Sequence, residues 1–310
     1  MEKVIWTRKN SVHGLAYNED LSKEAQLRSV GEVSFFTFPV FEQMENLRHG
    51  FSTRKGGVSE GHLASMNLSY SRGDEPERVD ENYRRICEAL GMRTEDLVFS
   101  DQVHDTKIRI VGRKDCQGEN LRDKKLIGYD GLATNEKAVA LCTSYADCVP
   151  LFFVDPEHQA IAASHSGWRG TVGKIGAKTV ETLVNNYASR PEMLKVVIGP
   201  SICQDCYEVS EDVAKEFREF VSIEKICSNG LNREYVQQMC ESVLIDKGNG
   251  KYQLDLWMAN KLILLEAGVK EENISVSCVC TSCNHELLYS HRASNGKRGN
   301  LNGFLEIKKV

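Results

Sequence analysis

The 310-residue chain is 41% hydrophobic and 27% charged, a composition that excludes a disordered or fibrous protein. Its formal net charge of −5 argues against non-specific binding to nucleic acid or anionic membranes, because such partners attract basic surfaces. No segment has the ~18 consecutive apolar residues that cross a bilayer. The 11 cysteines, an odd number spread along a long chain, indicate reduced thiols and a cytoplasmic protein. We therefore expect a small-molecule partner.

The first third of the chain predicts a strand, a glycine-rich loop and a helix. The strand is Glu32–Val40, and the loop lies in Phe51–Ser59, whose paired glycines favour a tight turn. The segment Asp74–Gly91 predicts a helix that begins with a capping aspartate and ends at a glycine. One face of this helix is apolar and should lie in the core; it consists of Val79, Tyr83, Ile86, Cys87 and Leu90.

Histidine and cysteine residues, which are types of residue that can bind metals, lie at the ends of predicted strands in the middle of the chain. These strands are Leu97–Val103, Lys107–Val111, Ala138–Thr143, Val149–Val154 and Gln159–Ser164. His104 follows the first strand, and Cys148 and His165 flank the last two. Zinc binds imidazole nitrogen and thiolate sulfur, and three protein ligands leave a fourth position open. Spacings of 44 and 17 residues indicate a site assembled by tertiary structure; the alternative for His104 is a structural role in its turn.

The later elements alternate irregularly, which favours an α+β fold with mixed β-sheets packed against helices. They are the helices Gly173–Ala188, Ser210–Val221 and Asp255–Gly268 and the strands Lys195–Gly199, Ile274–Cys280 and Gly303–Ile307. Two Cys-x-x-Cys pairs, Cys203/Cys206 and Cys280/Cys283, have the spacing of a structural four-cysteine zinc site. Inert core thiols are the alternative.

Several polar or glycine-rich segments carry a family resemblance. They are Phe51–Ser59, Asn67-Leu68, Gln102–His104, Ala146–Pro150, His165–Gly170, Gly199–Ser201 with Cys206–Val209, and Cys280-Thr281 with Ser290–Arg292. In this order they resemble the YfiH family, whose members are named laccase-domain proteins, polyphenol oxidases, purine nucleoside phosphorylases or peptidoglycan editing factors. The resemblance spans about Phe51 to Ile307 and implies that His104, Cys148 and His165 are metal ligands.

The resemblance also implies a fold similar to that of bacterial toxin deamidases with a Cys/His site. We expect residues 1–50 to be an N-terminal extension with the first strands, and residues 51–310 to be the catalytic domain, together in one compact unit. Two positions depart from the family pattern. Asp105 follows the Gln-Val-His motif where glycine is common, and Asn300 stands where the family usually has an arginine, with Arg298 two residues upstream.

The resemblance and the ligand types together favour a zinc-dependent purine nucleoside phosphorylase. Its substrates would be phosphate and adenosine, inosine, guanosine or methylthioadenosine, with deamination of adenosine as a further activity. The eight histidines include no His-x-His pair, which argues against the copper cluster of a true laccase. Copper remains an alternative metal, because Cu²⁺ binds tightly to nitrogen and sulfur ligands. The alternative functions are a polyphenol oxidase, a non-catalytic metal-binding protein, and a cysteine hydrolase acting on peptidoglycan precursors through Cys148 and His165.

Phosphorolysis needs fixed cations, and Arg54 and Arg169 are the predicted catalytic arginines. Arg292 is a third candidate, assigned to substrate binding. Asp147 is predicted to act as a general base or to bind ribose; the alternative is that it orients a ligand histidine. Ser52 and Asn67 are predicted polar substrate contacts, with loop closure and turn capping as their structural alternatives. We expect a monomer or a homodimer.

Overall fold

The computed structural model describes residues 6–12, 14–123 and 126–309, in which two six-stranded sheets form the centre of the fold. The strands are β1 (Ser11–Val12), β2 (Leu15–Ala16), β3 (Gln26–Val30), β4 (Val33–Thr37), β5 (Leu47–Ser52), β6 (Leu97–Phe99), β7 (Ile108–Ile110), β8 (Gly131–Thr134), β9 (Ala140–Tyr145), β10 (Val149–Asp155), β11 (Ala160–Ser166), β12 (Lys195–Ile198), β13 (Glu208–Ser210), β14 (Leu244–Gly248), β15 (Lys251–Leu254), β16 (Ile274–Val276) and β17 (Leu301–Ile307). The α-helices are α1 (Pro39–Glu42), α2 (Pro76–Leu90), α3 (Trp168–Val172), α4 (Ile175–Tyr187), α5 (Glu211–Ala214), α6 (Ile223–Ser228), α7 (Arg233–Ser242) and α8 (Leu256–Glu266).

Both large sheets are mixed. The first has the order β16-β12-β10-β11-β8-β7 and the second the order β3-β4-β5-β17-β9-β6. Parallel pairs join β12 to β16, β7 to β8 and β6 to β9, and the other neighbours in these sheets are antiparallel. A small sheet, β13-β15-β14, and the hairpin β1-β2 complete the strands. The predicted α+β fold with mixed sheets is confirmed.

The two large sheets pack face to face, with helices on their outer faces. Along β10, Phe152 and Val154 share a buried cluster with Phe51 and Leu141 of the second sheet. The alternate residues of β10 lie in another cluster with residues of α4 and α8. Because both faces of β10 are covered, its sequence is continuously apolar from Val149 to Val154, as in other strands buried on both sides. On the far face of the second sheet, α2 packs through the apolar side chains predicted for the core.

Most predicted elements are present, and the differences between predicted and observed helix bounds have local causes. The helix predicted from Asp74 begins at Pro76 after the cap residue Glu75, because the Asp74 carboxylate instead accepts hydrogen bonds from Ser59 and Asn67. The helix predicted at 210–221 is broken into α5 and a 3₁₀ turn, Lys215–Phe217. Within the described residues, no helix is long and apolar enough to span a membrane.

The predicted domain boundary stays a prediction. Strand β5 runs across residue 50 and pairs with β17 near the end of the chain. Strands β3 and β4 extend the same sheet from its β5 edge. Strands β3, β4 and β5 therefore form part of the second large sheet, whereas β1 and β2 form a separate hairpin.

Candidate metal centre and adjoining cavity

Three side chains from separate parts of the chain meet where the two large sheets join. His104 lies in the loop between β6 and β7, Cys148 in the turn between β9 and β10, and His165 near the end of β11. The antiparallel pairing of β10 with β11 sets Val149 opposite Ser166, which brings Cys148 next to His165. The candidate ligand atoms of the three residues all lie within 4.8 Å of one another. The three predicted metal ligands are thus brought together.

The carboxylate of Asp130 organises this cluster. It is fully buried and accepts hydrogen bonds from the backbone N–H groups of Val103 (3.0 Å), His104 (3.0 Å) and Asp105 (2.9 Å). Its Oδ1 also lies 2.8 Å from Nδ1 of His165. A histidine that binds a metal through one ring nitrogen is commonly oriented by a carboxylate on the other. The sequence analysis missed Asp130, since it lies far from each ligand in sequence.

The same carboxylate explains a difference from the predicted strands. Leu97–Val103 and Lys107–Val111 were expected as long strands, yet β6 and β7 have only three residues each and belong to different sheets. Three consecutive N–H groups of the connecting loop bond to Asp130 and so are not available to a strand ladder. The loop places His104 in the left-handed region, with φ 63°.

The electrostatics of the cluster favour a thiolate. Burial opposes ionisation of Cys148, but the neighbouring His165 and His104 outweigh it and lower the pKa of the thiol to about 6. Burial also opposes protonation of His165, yet Cys148 and Asp130 raise the pKa of this imidazole. For Asp130, hydrogen bonds from His165 and the loop overcome burial and hold its pKa below the usual range. Without metal, a thiolate therefore faces an imidazolium.

Gly167 allows the three side chains to approach closely. A Cβ atom at this position would lie 3.1 Å from Sγ of Cys148 and 3.1 Å from Cδ2 of His104. Both contacts are tighter than ordinary van der Waals packing, so a side chain here would push the ligands apart. The glycine in the predicted His165–Gly170 motif is thus needed for space.

The donor set fits a metal ion. Two imidazoles and one thiolate suit zinc or copper, and three protein ligands leave an open position for a further ligand. His165 is buried, whereas His104 is exposed, so one side of the cluster faces solvent. The cluster can therefore hold a metal ion that remains accessible from outside.

A cavity of about 280 Å³ adjoins the cluster and includes Cys148, His104 and His165 in its wall. Its aromatic lining residues are Tyr70, Tyr83, Phe99 and Tyr145. Three buried polar atoms of its lining have no hydrogen-bond partner in the described part of the chain: Ser100 Oγ, Arg298 Nε and Asn302 Oδ1. Buried polar atoms without a partner cost free energy, so such atoms in a cavity wall are suited to contact a ligand.

Two arginines, Arg72 and Arg298, place positive charge in the cavity wall. Arg72 and Arg298 both donate hydrogen bonds to Oδ1 of Asn300, whose amide nitrogen donates to Ser144 Oγ at 2.8 Å. Neither guanidinium forms an ion pair within the described residues. Burial and the neighbouring Arg72 lower the pKa of Arg298 to about 10. Asn300 thus lacks the positive charge of the arginine that the family usually has at this position. Its side chain instead accepts hydrogen bonds from two positively charged residues, Arg72 and Arg298.

The predicted arginines lie outside the cavity lining. Arg54 donates to the carbonyl oxygens of Ala64 (2.8 Å) and His285 (3.0 Å). Arg169 is exposed, with its guanidinium 4.3 Å from the ring centre of Trp168. Arg292 donates to the carbonyl oxygens of Cys206, one of the four paired cysteines, and of Glu208. The catalytic roles of Arg54 and Arg169 and the substrate role of Arg292 remain predictions.

Asp147 lies beside Cys148 but bonds elsewhere. Its carboxylate accepts a hydrogen bond from Thr281 Oγ1 at 2.6 Å and from the N–H of Arg292 at 2.7 Å. The histidine-orienting role that was the alternative for Asp147 therefore falls to Asp130. A direct role of Asp147 in catalysis remains a prediction.

Ser52 and Asn67 are both fully buried. Ser52 Oγ accepts a hydrogen bond from the N–H of Asn302 at 2.9 Å. Asn67 accepts a hydrogen bond from the N–H of Asn300 at 3.1 Å. This bond fixes the loop of Asn300, whose side chain accepts hydrogen bonds from Arg72 and Arg298. Their proposed substrate contacts stay predictions, whereas these structural contacts are direct.

Comparisons with known proteins identify related sequences and structures. A family model described as multi-copper polyphenol oxidoreductase laccase matches residues 48–308. The purine nucleoside phosphorylase YlmD of Bacillus subtilis is 35% identical, over 84% of this chain and 88% of the relative. Adenosine deaminase RL5, from an unknown prokaryotic organism, is 32% identical over 78% of this chain and 87% of its own length. The crystal structure of YlmD from Geobacillus stearothermophilus has a TM-score of 0.81 at 31% identity, covering 91% of this chain and 99% of that one.

The role of Asp130 can be tested through metal affinity. We expect Asp130→Asn to weaken zinc binding by about 10- to 100-fold in a chelator competition, because it removes the charge that orients His165. Asp155→Asn is a matched control, since that buried carboxylate also bonds to a histidine, His158, and to backbone N–H groups. Equal zinc affinity in both variants would contradict the role of Asp130.

The ionisation of Cys148 can be measured by alkylation of metal-free protein. We expect the iodoacetamide reaction at Cys148, followed by peptide mass spectrometry, to increase through a midpoint near pH 6, because the thiolate forms above the pKa. Half-buried Cys240, whose pKa burial raises to about 11, should react only at much higher pH. A midpoint at Cys148 near the ~8.5 of a free thiol would contradict the thiolate–imidazolium pair.

Proposed function

The chain belongs to the YfiH-type family described as multi-copper polyphenol oxidoreductase laccase, and we propose that it is a zinc-dependent purine nucleoside phosphorylase. The substrates proposed are adenosine and inosine, with guanosine and methylthioadenosine as further purine nucleosides, and the enzyme would act in the cytoplasm. One observation carries the proposal: the cavity combines the Cys/His cluster with two arginines that have no carboxylate partner among the described residues.

The arginine pair is suited to phosphate. Arg72 and Arg298 come from distant parts of the chain and share one neutral acceptor, and neither forms an ion pair with a carboxylate of the described residues. A phosphate dianion would relieve their mutual repulsion and could accept paired hydrogen bonds from both guanidinium groups. The unpartnered Nε of Arg298 supplies a donor for this purpose. We therefore assign phosphate binding to Arg72 and Arg298.

The rest of the cavity is suited to a nucleoside. The rings of Tyr70 and Phe99 offer flat apolar surface to a purine, and the unpartnered Ser100 Oγ and Asn302 Oδ1 offer hydrogen bonds to ribose hydroxyls. In the reaction, a phosphate oxygen forms a bond to ribose C1 as the bond from C1 to the purine nitrogen breaks. The bonding electrons leave with the purine, which takes up a proton, and ribose 1-phosphate is the second product.

His104, Cys148 and His165 would hold the zinc ion. The two imidazoles are neutral ligands and the thiolate contributes one negative charge, so the bound ion keeps a net positive charge. When bound, it supplies Lewis-acid catalysis next to the cavity. Asp130 keeps Nδ1 of His165 protonated, leaving Nε2 for the metal. Copper is the alternative ion, although the sequence lacks the His-x-His pairs expected of a multi-copper oxidase.

Adenosine deamination is a second activity of the same site. A relative covering most of this chain is named adenosine deaminase RL5, and the accessible side of the cluster leaves room for water. Water would add to C6 of the purine, and the amino group would leave as ammonia to give inosine. The reaction needs no phosphate, so the arginine pair should matter less for it.

The proposed function is tested by incubating protein of known metal content with inosine or adenosine, with and without phosphate. We expect phosphate-dependent formation of free base and ribose 1-phosphate, because the cavity offers a site for each reactant. His104→Ala should lose both this activity and the bound metal. No product from zinc-loaded protein would overturn the proposal. Hydrolysis of amides by Cys148 that survives His104→Ala would instead support the cysteine hydrolase.

Substitution of the arginines tests the phosphate site separately. We expect Arg72→Met and Arg298→Met each to raise the KM for phosphate by about tenfold or more, with a smaller effect on the KM for nucleoside, because each removes charge-assisted hydrogen bonds. Arg298→Lys should recover part of the loss. Exposed Arg109, which lies outside the cavity lining, gives the control variant Arg109→Met.

The variant Arg169→Met distinguishes phosphate binding by Arg72 and Arg298 from phosphate binding by Arg169, the arginine predicted from the sequence. A rise in the phosphate KM for this variant, with Arg72→Met and Arg298→Met unaffected, would place the anion beside Trp168. That outcome would restore the arginine predicted from the sequence.

A further inference from the structure

The four cysteines of the two Cys-x-x-Cys pairs converge in space. Cys203 and Cys206 flank the short loop after β12, and Cys280 and Cys283 follow β16. These strands are parallel neighbours, and a further bridge between Ser201 and Cys280 continues their pairing. Both loops therefore begin at the carboxyl ends of neighbouring parallel strands, on the same side of the first large sheet. All four sulfur atoms lie within 4.8 Å of one another.

The sulfur spacing matches a metal tetrathiolate. Sγ of Cys283 lies 3.9 Å from Sγ of Cys203 and 3.5 Å from Sγ of Cys206. Four sulfurs bound tetrahedrally at a zinc–sulfur distance of ~2.3 Å would be about 3.8 Å apart. A disulfide would instead require a separation of ~2.05 Å. Both measured separations are close to the value expected of a zinc tetrathiolate, and none of the six exceeds 4.8 Å.

The surroundings of the cluster support thiolate ligands. The backbone N–H groups of Cys203 and Cys283 both donate to Sγ of Cys280 at 3.3 Å. Such donors stabilise the charged form of a sulfur ligand. The ammonium group of Lys9 lies near the first cysteine pair, because it forms an ion pair at 2.7 Å with Asp205, which stands between Cys203 and Cys206.

We propose that Cys203, Cys206, Cys280 and Cys283 bind a second zinc ion, which has a structural role. With four protein ligands the site has no open position, in contrast to the His104/Cys148/His165 cluster. Binding releases the thiol protons, and the folded loops hold the ion in a preformed site. The proposal does not depend on the proposed function, because its evidence comes from different residues.

The second zinc would support the turn that carries Cys148. Thr281, between the third and fourth ligands, donates to the carboxylate of Asp147, and Arg292 further along the segment bonds to the same carboxylate. Arg292 also donates to the carbonyl oxygen of the ligand Cys206. The segment from Cys280 to Arg292 is therefore bonded to Asp147 at both ends, and its Arg292 end is also bonded to Cys206.

Metal analysis of purified full-length protein tests the proposal. We expect two zinc ions per chain in the wild type, one in Cys148→Ala, one in the double variant Cys206→Ser/Cys283→Ser, and two in the control Cys240→Ser. One zinc in the wild type that Cys148→Ala removes would overturn it. So would two zinc ions in the double variant, or a native mass showing disulfides among the four cysteines.

Cobalt substitution covers the case in which the double variant fails to fold. Cys148→Ala protein loaded with Co²⁺ should show strong sulfur-to-cobalt charge transfer and the visible bands of a tetrahedral tetrathiolate. Absence of these bands in folded, cobalt-loaded protein would overturn the proposal. Inactivity toward nucleosides would leave these spectra unchanged, so failure of the proposed function is distinguishable.

Discussion

The buried carboxylate of Asp130 is the interaction on which the site depends. It accepts three consecutive backbone N–H groups and one imidazole, so a single charge fixes a loop and a side chain from different strands. An isolated carboxylate would be costly to bury, but these donors replace the water that it loses. The same bonds fix the loop that connects β6 of the second sheet to β7 of the first. The position of His104 and the orientation of His165 therefore share one cause.

The two-sheet architecture gives this interaction a rigid setting. The turn at Cys148 connects β9 of the second sheet to β10 of the first, so the cluster lies where the chain passes between layers. Between those layers, the ring of Phe152 occupies the space next to Gly303, where a Cβ atom would lie 2.3 Å from the ring. Close packing of this kind limits movement of one sheet relative to the other. The cavity is built on these fixed strands together with the flanking loops.

The sequence predicts local features better than long-range contacts. The apolar runs of β10 and β11 and the apolar face of α2 follow from periodicity, and the three proposed ligands lie in recognisable motifs. Asp130 and Arg72 have no such signal, because their significance comes only from residues far away in sequence. Arg54 was predicted as a catalytic cation from its position beside paired glycines; its guanidinium donates to two backbone carbonyl groups, and its catalytic role stays a prediction.

The contacts of Asn300 have a consequence for comparing relatives of this protein. An alignment that follows one column would record the loss of an arginine here, although the structure places Arg72 and Arg298 around the same point. The positive charge of such a site depends on all the side chains around the cavity. A charged side chain lost from one chain segment can therefore be replaced by one from another segment that reaches the same cavity. Relatives should therefore be grouped by the total charge around the cavity, since a single position can change while that total is preserved.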